Sequence, residues 1–316
     1  MSFTARIKDE ISLLEKSRTE DIAELSAFVR TNAKYTDTFI ELNTENRKIA
    51  QRFYKFLIDI YGVTADISAK KSNTFNRNNI YVVRVNEKIK EILIDLSVID
   101  EDNNYLDVPK EYIVDSKEES SSYLRGIFLS KGSINDPKTS RYHLELLLDN
   151  KYEAVFVQRL LNKFNLNSKI LMRDNKYMIY IKDSEKISDF LKIIQAFNAV
   201  LYYEDIKILR EQKNMTNRLN NCEQANIDKV ILTSSKQVEE INLIIDTLGL
   251  DFLDDRIKEA CTYRLKYPES SLLELSEIMT LETGKNITKS GLNHRFRKLK
   301  EIASKIEGNK KENHND

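Results

Sequence analysis

Basic side chains are concentrated in one short segment near the C-terminus of this 316-residue sequence. Residues 285–300 carry six bases and no acid: Lys285, Lys289, Arg295, Arg297, Lys298 and Lys300. Residues 251–282, just before them, carry eight acids and four bases, although the whole chain is balanced at 50 of each. A run of like charge is usually a solvated face. A change of sign between adjacent helices, however, suggests that one helix faces a polyanion.

The basic segment separates its apolar and polar residues when it is drawn as a helix. At about 100° per residue, Leu292, Phe296 and Leu299 share one narrow stripe. Eight polar residues form the predicted DNA-binding set: Ser290, Asn293, His294, Arg297 and Lys298 on the opposite side, and Lys289, Arg295 and Lys300 beside it. Arginine pairs with guanine and asparagine with adenine in the major groove, whereas lysine mainly meets phosphate, so we expect Arg297 and Asn293 to read bases. The alternative for each is an ordinary solvated side chain.

Further helices must hold this segment in place. The pattern predicts helices over residues 235–248, 254–267 and 271–279, ended by Gly249, stopped by Pro268 and capped by Ser270 or Ser271. A loop over residues 280–287 follows, and Thr288 caps a last helix that runs to about residue 306. Two short helices joined in this way, the second of them basic, predict a helix-turn-helix. The loop is longer than in the tightest versions of that motif.

No other residues form a site by their spacing. Cys222 and Cys261 have no metal-type neighbours and the three histidines are scattered, so we expect no metal, no disulfide and no cofactor. No motif gives His294 a serine, cysteine or carboxylate partner, which argues against catalysis. The N-terminus is charged where a signal peptide would be apolar, and no apolar run approaches the roughly 18 residues of a membrane span. We therefore expect a cytoplasmic protein with no membrane partner.

The first 200 residues contain an internal repeat whose copies occupy residues 1–100 and 118–208. Each copy runs helix, strand, helix, two strands, helix. The predicted elements of the first copy are 19–33, 36–43, 46–61, 63–71, 79–85 and 86–99, and those of the second are 119–131, 141–149, 151–164, 169–173, 176–182 and 184–198. A polar linker, residues 100–118, joins them. The sequence therefore predicts a duplicated α+β domain (residues 1–208), with helices on antiparallel sheets and a pseudo-twofold axis.

The remaining third is predicted to be helical. Residues 209–228 are polar and helix-prone, and we interpret them as a connecting helix with a break near Asn220 and Asn221 that acts as a hinge. Residues 229–308 form the predicted all-α helix-turn-helix domain, and residues 309–316 a disordered tail.

The helix that opens each copy resembles a known motif. Residues 123–132, YLRGIFLSKG, resemble the LAGLIDADG helix of homing endonucleases, and residues 25–33, LSAFVRTNA, align as a degraded first copy. In that family two such helices pack side by side through small residues at the third and ninth positions, here Ala27, Ala33, Gly126 and Gly132. An acid at each eighth position holds the catalytic metal, but here those positions are Asn32 and Lys131. Since cleavage needs carboxylates to place the cation, we predict a scaffold without nuclease activity.

The whole chain is similar to the WhiA family, in which a degenerate LAGLIDADG domain precedes a helix-turn-helix. The similarity lies in residues 1–4 (MSFT), 124–129 (LRGIFL), 132–137 (GSINDP), 142–145 (YHLE), 217–222 (NRLNNC) with 225–226 (AN), and 289–295 (KSGLNHR). Residues 30–33 (RTNA) depart from a more glycine-rich stretch. The resemblance implies a cytoplasmic, nucleoid-associated regulator of cell division and chromosome segregation, and of sporulation where the organism sporulates.

Three functions remain open at this point. The first is a sequence-specific transcription factor that binds double-stranded DNA, with RNA polymerase or another regulator as a further partner at the scaffold surface. The second is a division- or nucleoid-associated DNA-binding protein without direct promoter control. The third is an active LAGLIDADG endonuclease, which the missing acids make the least favoured.

Overall fold

The computed structural model describes residues 1–71, 79–139 and 141–312. Its contacts divide into two compact units, Met1–Glu211 and Gln212–Asp316. Each unit has an apolar core of its own: one is built from residues up to Tyr203, and the other from residues between Ile241 and Ile306.

The first unit contains two halves with the same connectivity. The first half comprises α1 (Phe3–Ile11), α2 (Arg18–Asn32), β1 (Lys34–Thr36), β2 (Phe39–Thr44), α3 (Arg47–Tyr61), β3 (Ala65–Lys71), β4 (Asn79–Val85) and α4 (Ile89–Asp95). A 3-10 turn (Glu111–Ile113) then leads to α5 (Lys117–Lys131), β5 (Gly132–Ile134), β6 (Leu144–Leu148), α6 (Lys151–Lys163), β7 (Lys169–Arg173), β8 (Lys176–Ile181) and α7 (Ser184–Ile193). The strand orders, β1-β2-β4-β3 and β5-β6-β8-β7, match. The predicted duplicated α+β architecture is confirmed.

Both sheets are antiparallel, and alternation along their strands directs one face of each sheet into the core. In β6, for example, Leu144, Leu146 and Leu148 are buried and the residues between them are partly exposed. Asp174 and Asn175 form the hairpin turn between β7 and β8, and both have positive φ, 51° and 58°, as a two-residue turn of this kind requires.

Helices α2 and α5 lie against each other at the centre of the unit. Each begins with a capping box, Ser17 with Glu20 and Ser116 with Glu119. A Cβ placed on Gly126 would lie 2.3 Å from the carbonyl oxygen of Glu24 and 2.8 Å from the Cβ of Ala27. Only glycine fits there, which is the close approach that the sequence predicted.

Three elements were absent from the prediction. Strands β1 and β5 contain only three residues each, too few to show an alternating pattern. The third element is helix α1.

Helix α1 connects distant parts of the first unit through hydrogen bonds. The Thr4 hydroxyl bonds both the amide nitrogen and the carbonyl oxygen of Ile134, at 2.9 Å each. The Glu10 carboxylate accepts hydrogen bonds from the amides of Asn198 and Ala199, at 2.7 and 3.1 Å.

Helix α8 (Phe197–Leu248) is continuous over 52 residues and crosses the boundary between the two units. The predicted break near Asn220 and Asn221 is therefore wrong, whereas the hinge stays a prediction. The helix contains no proline and no glycine. An asparagine inside a helix costs only about 0.7 kcal/mol relative to alanine, which does not force a break.

The second unit is helical throughout the described residues. The C-terminal part of α8 is followed by a 3-10 turn (Leu250–Phe252), α9 (Asp255–Lys266), α10 (Leu272–Thr283) and α11 (Lys289–Glu312). Helix α11 continues past its predicted end near residue 306 to Glu312, within the predicted tail of residues 309–316; residues 313–316 lie outside the described residues. Gly308 does not end the helix, since a glycine costs a helix only about 1 kcal/mol. None of the described helices is long and apolar enough to cross a membrane.

Candidate nucleic-acid interface

Helix α11 presents two distinct faces. Leu292, Phe296 and Leu299 are buried, as the pattern predicts, and Ala303 and Ile306 extend the same stripe. Seven members of the predicted DNA-binding set are exposed: Lys289, Ser290, Asn293, His294, Arg297, Lys298 and Lys300. The helix starts at its predicted cap, since the Thr288 hydroxyl accepts a hydrogen bond from the amide of Gly291 at 3.1 Å.

The buried stripe of α11 packs against α9 and α10 through Cys261, Leu275 and Met279. Burial raises the pKa of the Cys261 thiol to about 12, so at neutral pH it stays protonated and acts as an apolar core residue. The helix-turn-helix is thereby held by a packed core.

The loop between α10 and α11 is shorter than the prediction, because α10 continues to Thr283 and Gly284 ends it with a φ of 68°. The Thr280 hydroxyl bonds the amide nitrogen and the carbonyl oxygen of Ile287, at 3.1 and 3.2 Å. These two bonds fix the path of the chain into α11.

Arg264 fixes the turn between α9 and α10. Its side chain is 1% exposed, and its Nη1 donates to the carbonyl oxygens of Ser270 and Tyr267 at 2.6 and 3.3 Å. Its guanidinium lies 5.4 Å from the centre of the Phe296 ring. Since Phe296 belongs to α11, this buried arginine links the turn to the helix that presents the polar face. The prediction did not include Arg264, and nothing in the sequence distinguishes it from the other three bases of the acidic segment.

Two members of the predicted set have partners within the second unit. The Arg295 guanidinium donates to the carbonyl oxygen of Arg256 at 3.2 Å and lies 3.5 Å from the carboxylate of Glu259. Lys300 lies close enough to Glu240 of α8 to lower the pKa of that carboxyl, although burial raises it overall. Part of the sign change between the acidic and basic segments is thus an ion-pair network inside the unit.

The outer face of α11, which we define as Ser290, Asn293, His294, Arg297 and Lys298, is different. None of these five side chains forms a hydrogen bond or ion pair with another residue in the part of the chain that the structure describes. Their donors and acceptors are therefore turned to solvent and open to a ligand.

In the first unit, the structure places Asn32 and Lys131 near the ends of α2 and α5. The Asn32 side-chain oxygen accepts from the amide of Asn43 at 3.1 Å, and the Lys131 ammonium lies 3.6 Å from the carboxylate of Asp149. Between the two helices, the hydroxyls of Thr31 and Ser130 meet at 2.7 Å. The groups at these helix ends are thus amide, ammonium and hydroxyl, and within the described ranges no cluster of three or more histidine, cysteine or acidic side chains could hold a metal.

A buried charge cluster at the α2–α5 contact was also absent from the prediction. Glu24 is fully buried. Its carboxylate accepts hydrogen bonds from Arg125 Nε at 2.6 Å and from Arg52 Nε at 2.5 Å. Burial by itself would raise the pKa of Glu24, but the two guanidinium groups hold it below its ordinary value. The signal in the sequence was Arg125, a single charge within the apolar run of residues 123–129 in α5.

The fold and the polar face define the class of this protein: a helix-turn-helix protein with a duplicated LAGLIDADG-like domain. Family models agree along the chain: the WhiA N-terminal LAGLIDADG-like domain matches residues 18–99, the WhiA LAGLIDADG-like domain residues 120–213 and the WhiA C-terminal HTH domain residues 216–303. Proteins of Bacillus cytotoxicus and Bacillus cereus, each named probable cell division protein WhiA, are 42% identical over 97% of this chain and of their own. The chain belongs to the WhiA family.

A solved structure agrees on the fold. The crystal structure of full-length DUF199/WhiA from Thermatoga maritima is similar to this chain with a TM-score of 0.59 and 24% identity, and covers 96% of this chain and 99% of its own.

Proposed function

We propose that this protein is a sequence-specific DNA-binding regulator that acts in cell division through its C-terminal helix-turn-helix. The observation that carries the proposal is the outer face of α11, whose Asn293, His294, Arg297 and Lys298 are exposed and have no partner among the described residues. These residues lie within the segment matched by the WhiA HTH model, and the relatives are named probable cell division proteins.

In the proposed complex, α11 enters the major groove with its outer face toward the bases. Arg297 pairs bidentately with a guanine and Asn293 with an adenine, while Lys289 and Lys298 meet phosphates on either side. His294 and Ser290 lie between these groups and contribute further polar contacts. Arg295 and Lys300 do not read bases in this proposal, because Arg295 contacts Glu259 and Lys300 lies beside Glu240. They orient α11 and contact DNA only at the edge of the groove.

At a finer level, we propose direct control of transcription, serving chromosome segregation as well as division, and sporulation where the organism sporulates. A regulator of this kind resides in the cytoplasm on the nucleoid. RNA polymerase or another regulator is the further partner that the scaffold would meet. The second candidate is a division-associated DNA-binding protein without promoter control. The outer face of α11 serves both equally, so only a measurement on the genome separates them.

The deciding experiment compares genome-wide occupancy with transcript levels in cells that carry the wild-type chain, Arg297→Ala or a deletion. We expect discrete occupied sites that disappear with Arg297→Ala, and transcripts of adjacent genes that change in the same cells. Occupancy with unchanged transcripts would favour the second candidate. Occupancy that Arg297→Ala leaves unaltered would contradict the role of α11 in both.

A further inference from the structure

A cleft of about 980 Å³ opens beside the ends of α2 and α5 in the first unit. It is bordered by α1, by the chain from β2 into α3, and by the last turns of the two central helices. Much of its lining is polar, including Asn32, Asn43, Thr44 and Ser130. Its size is that of a site for a small organic ligand.

Lys8 of α1 gives this cleft a cation without a partner. Its side chain is half-buried, and its ammonium lies 5.6 Å from the centre of the Phe128 ring. Among the residues that the structure describes, no hydrogen-bond acceptor or carboxylate engages it. Burial lowers the pKa of Lys8 to about 8, because nothing there compensates for the lost hydration. An anion in the cleft would supply that compensation.

The other charges at the cleft are arranged so that they leave Lys8 free. Asp9 accepts a hydrogen bond from the Asn46 side chain at 2.6 Å and pairs with Lys48 at 3.1 Å. Glu45 and Arg47 carry opposite charges, and Met1 is also part of the lining. Helices α2 and α5 add only uncharged residues: Phe28, Asn32, Leu129 and Ser130.

Two further features favour an anion that also has an apolar part. Helix α3 starts at Arg47 beside the cleft, so the positive end of its dipole lies at the rim. Ala5 and Ile80, both partly exposed, provide a small apolar wall, which suits a ligand with a flat, weakly polar part as well as a charged one.

We propose that this cleft binds a nucleotide-sized phosphate ester, with the Lys8 ammonium on the phosphate and the apolar wall against the base. The cation comes from α1, which has no counterpart in the second half, so it differs from Asn32 and Lys131, the positions at which the resemblance places catalytic acids. The proposal is also independent of α11, and a chain with Arg297→Ala should bind the nucleotide unchanged.

The test titrates the full-length protein calorimetrically with AMP, GTP and inorganic phosphate. We expect a nucleotide to bind, and Lys8→Met to weaken it by about tenfold to a hundredfold, as expected for loss of a charge-assisted hydrogen bond. Lys163→Met is the matched control, because Lys163 is an exposed lysine on α6 away from the cleft, and it should bind like the wild type.

Thermal unfolding keeps the result interpretable. Lys8→Met removes a poorly hydrated cation that has no partner, so it should melt no lower than the wild type, and added nucleotide should raise the melting temperature of the wild type only. Because only the protonated form of Lys8 attracts a phosphate, nucleotide affinity should be highest below the pKa of Lys8, about 8. Above that pH the affinity should fall by about tenfold per pH unit.

Two outcomes would overturn the proposal. In the first, no nucleotide binds, or Lys8→Met and wild type bind nucleotide equally. In the second, Lys8→Met weakens only duplex DNA binding and lowers its salt dependence by about one counterion, which would make a DNA backbone phosphate the occupant in place of a small ligand.

Discussion

Glu24 is one of the residues through which the two halves of the first unit are joined by charge; Arg30 of α2 and Glu153 of α6 form another buried pair, 3.3 Å apart. Glu24 lies on α2 and binds Arg125 of α5 and Arg52 of α3, all three in the interior. A carboxylate that compensates two buried guanidinium groups cannot be removed without leaving both uncompensated. Compensation of these two arginines therefore depends mainly on this one side chain, with Asp21, 3.9 Å from Arg52, as a more distant second acid.

We expect Glu24→Gln to destabilise the first unit by about 3 to 5 kcal/mol, the usual cost of breaking a buried ion pair. Urea unfolding followed by circular dichroism measures this, with Glu118→Gln as the control because Glu118 is exposed on α5. The control should change stability by less than about 0.5 kcal/mol. Equal stability of the two variants would contradict the role given to the cluster.

The same carboxylate predicts a pH dependence. The pKa of Glu24 lies below its ordinary value of 4.5 in the folded protein, so the unfolded chain takes up this proton first. The stability that Glu24 contributes is therefore fully present above about pH 4.5 and is lost as the pH falls through the lower, folded pKa. Acid titration of the wild type and Glu24→Gln should show this loss in the wild type alone.

On α11, base readers and phosphate contacts should leave different signatures in binding. Arg297→Ala should cost about 1 to 3 kcal/mol on the preferred site and flatten discrimination at one base pair. Lys298→Ala should weaken all sequences alike and reduce the slope of log affinity against log salt by about 0.9. Titrations on matched and scrambled duplexes at several salt concentrations separate these effects. A uniform loss for Arg297→Ala would make it a phosphate contact.

At the scale of elements, the sequence predicted most of the fold from its periodicity. The bounds predicted for β4 and β7 are those observed, and α3 and α6 begin after the asparagine caps Asn46 and Asn150. The short strands β1 and β5 were not predicted, because three residues are too few to show a periodic pattern. Helix α1 was not predicted either, although Ser2 caps it and Phe3, Ile7 and Ile11 recur every four residues. The outer face of α11 could be predicted because its apolar stripe is regular, whereas the partners of Arg295 lie on another helix and depend on tertiary packing.

The contact between α2 and α5 offers a sharp test of packing. Gly126→Ala places a methyl group 2.3 Å from a backbone oxygen, so the helices must separate, and we expect a loss of at least about 1 to 3 kcal/mol. Gly308→Ala is the control, because nothing lies within 4 Å of its Cβ position and alanine favours a helix. It should leave the second unit unchanged or slightly more stable. Tolerance of Gly126→Ala would show that the helices are not closely packed.

The whole molecule is built from two cores that share no residue. The core of the second unit draws its members only from residues between Ile241 and Ile306. A fragment of residues 226–308 therefore contains the complete set of apolar contacts and should fold alone with cooperative thermal unfolding. It should keep the sequence preference of the full chain and bind more weakly if the scaffold adds contacts. Equal affinity would remove the scaffold from DNA binding, and a fragment without a cooperative transition would contradict the independence of the two cores.

The sequence separation between α1 and its partners in α8 sets an order for synthesis on the ribosome. Helix α1 is made before them, because the amides that Glu10 caps follow 188 and 189 residues later. At about 5 to 20 residues per second, translation needs roughly 10 to 40 s to deliver those partners. During that interval Phe3, Ile7 and Ile11 have no complete docking site, and the first unit cannot close until the start of α8 has been made. A nascent chain arrested anywhere before α8 would thus expose an apolar N-terminal helix, the kind of signal that chaperones and proteases recognise in unfinished proteins.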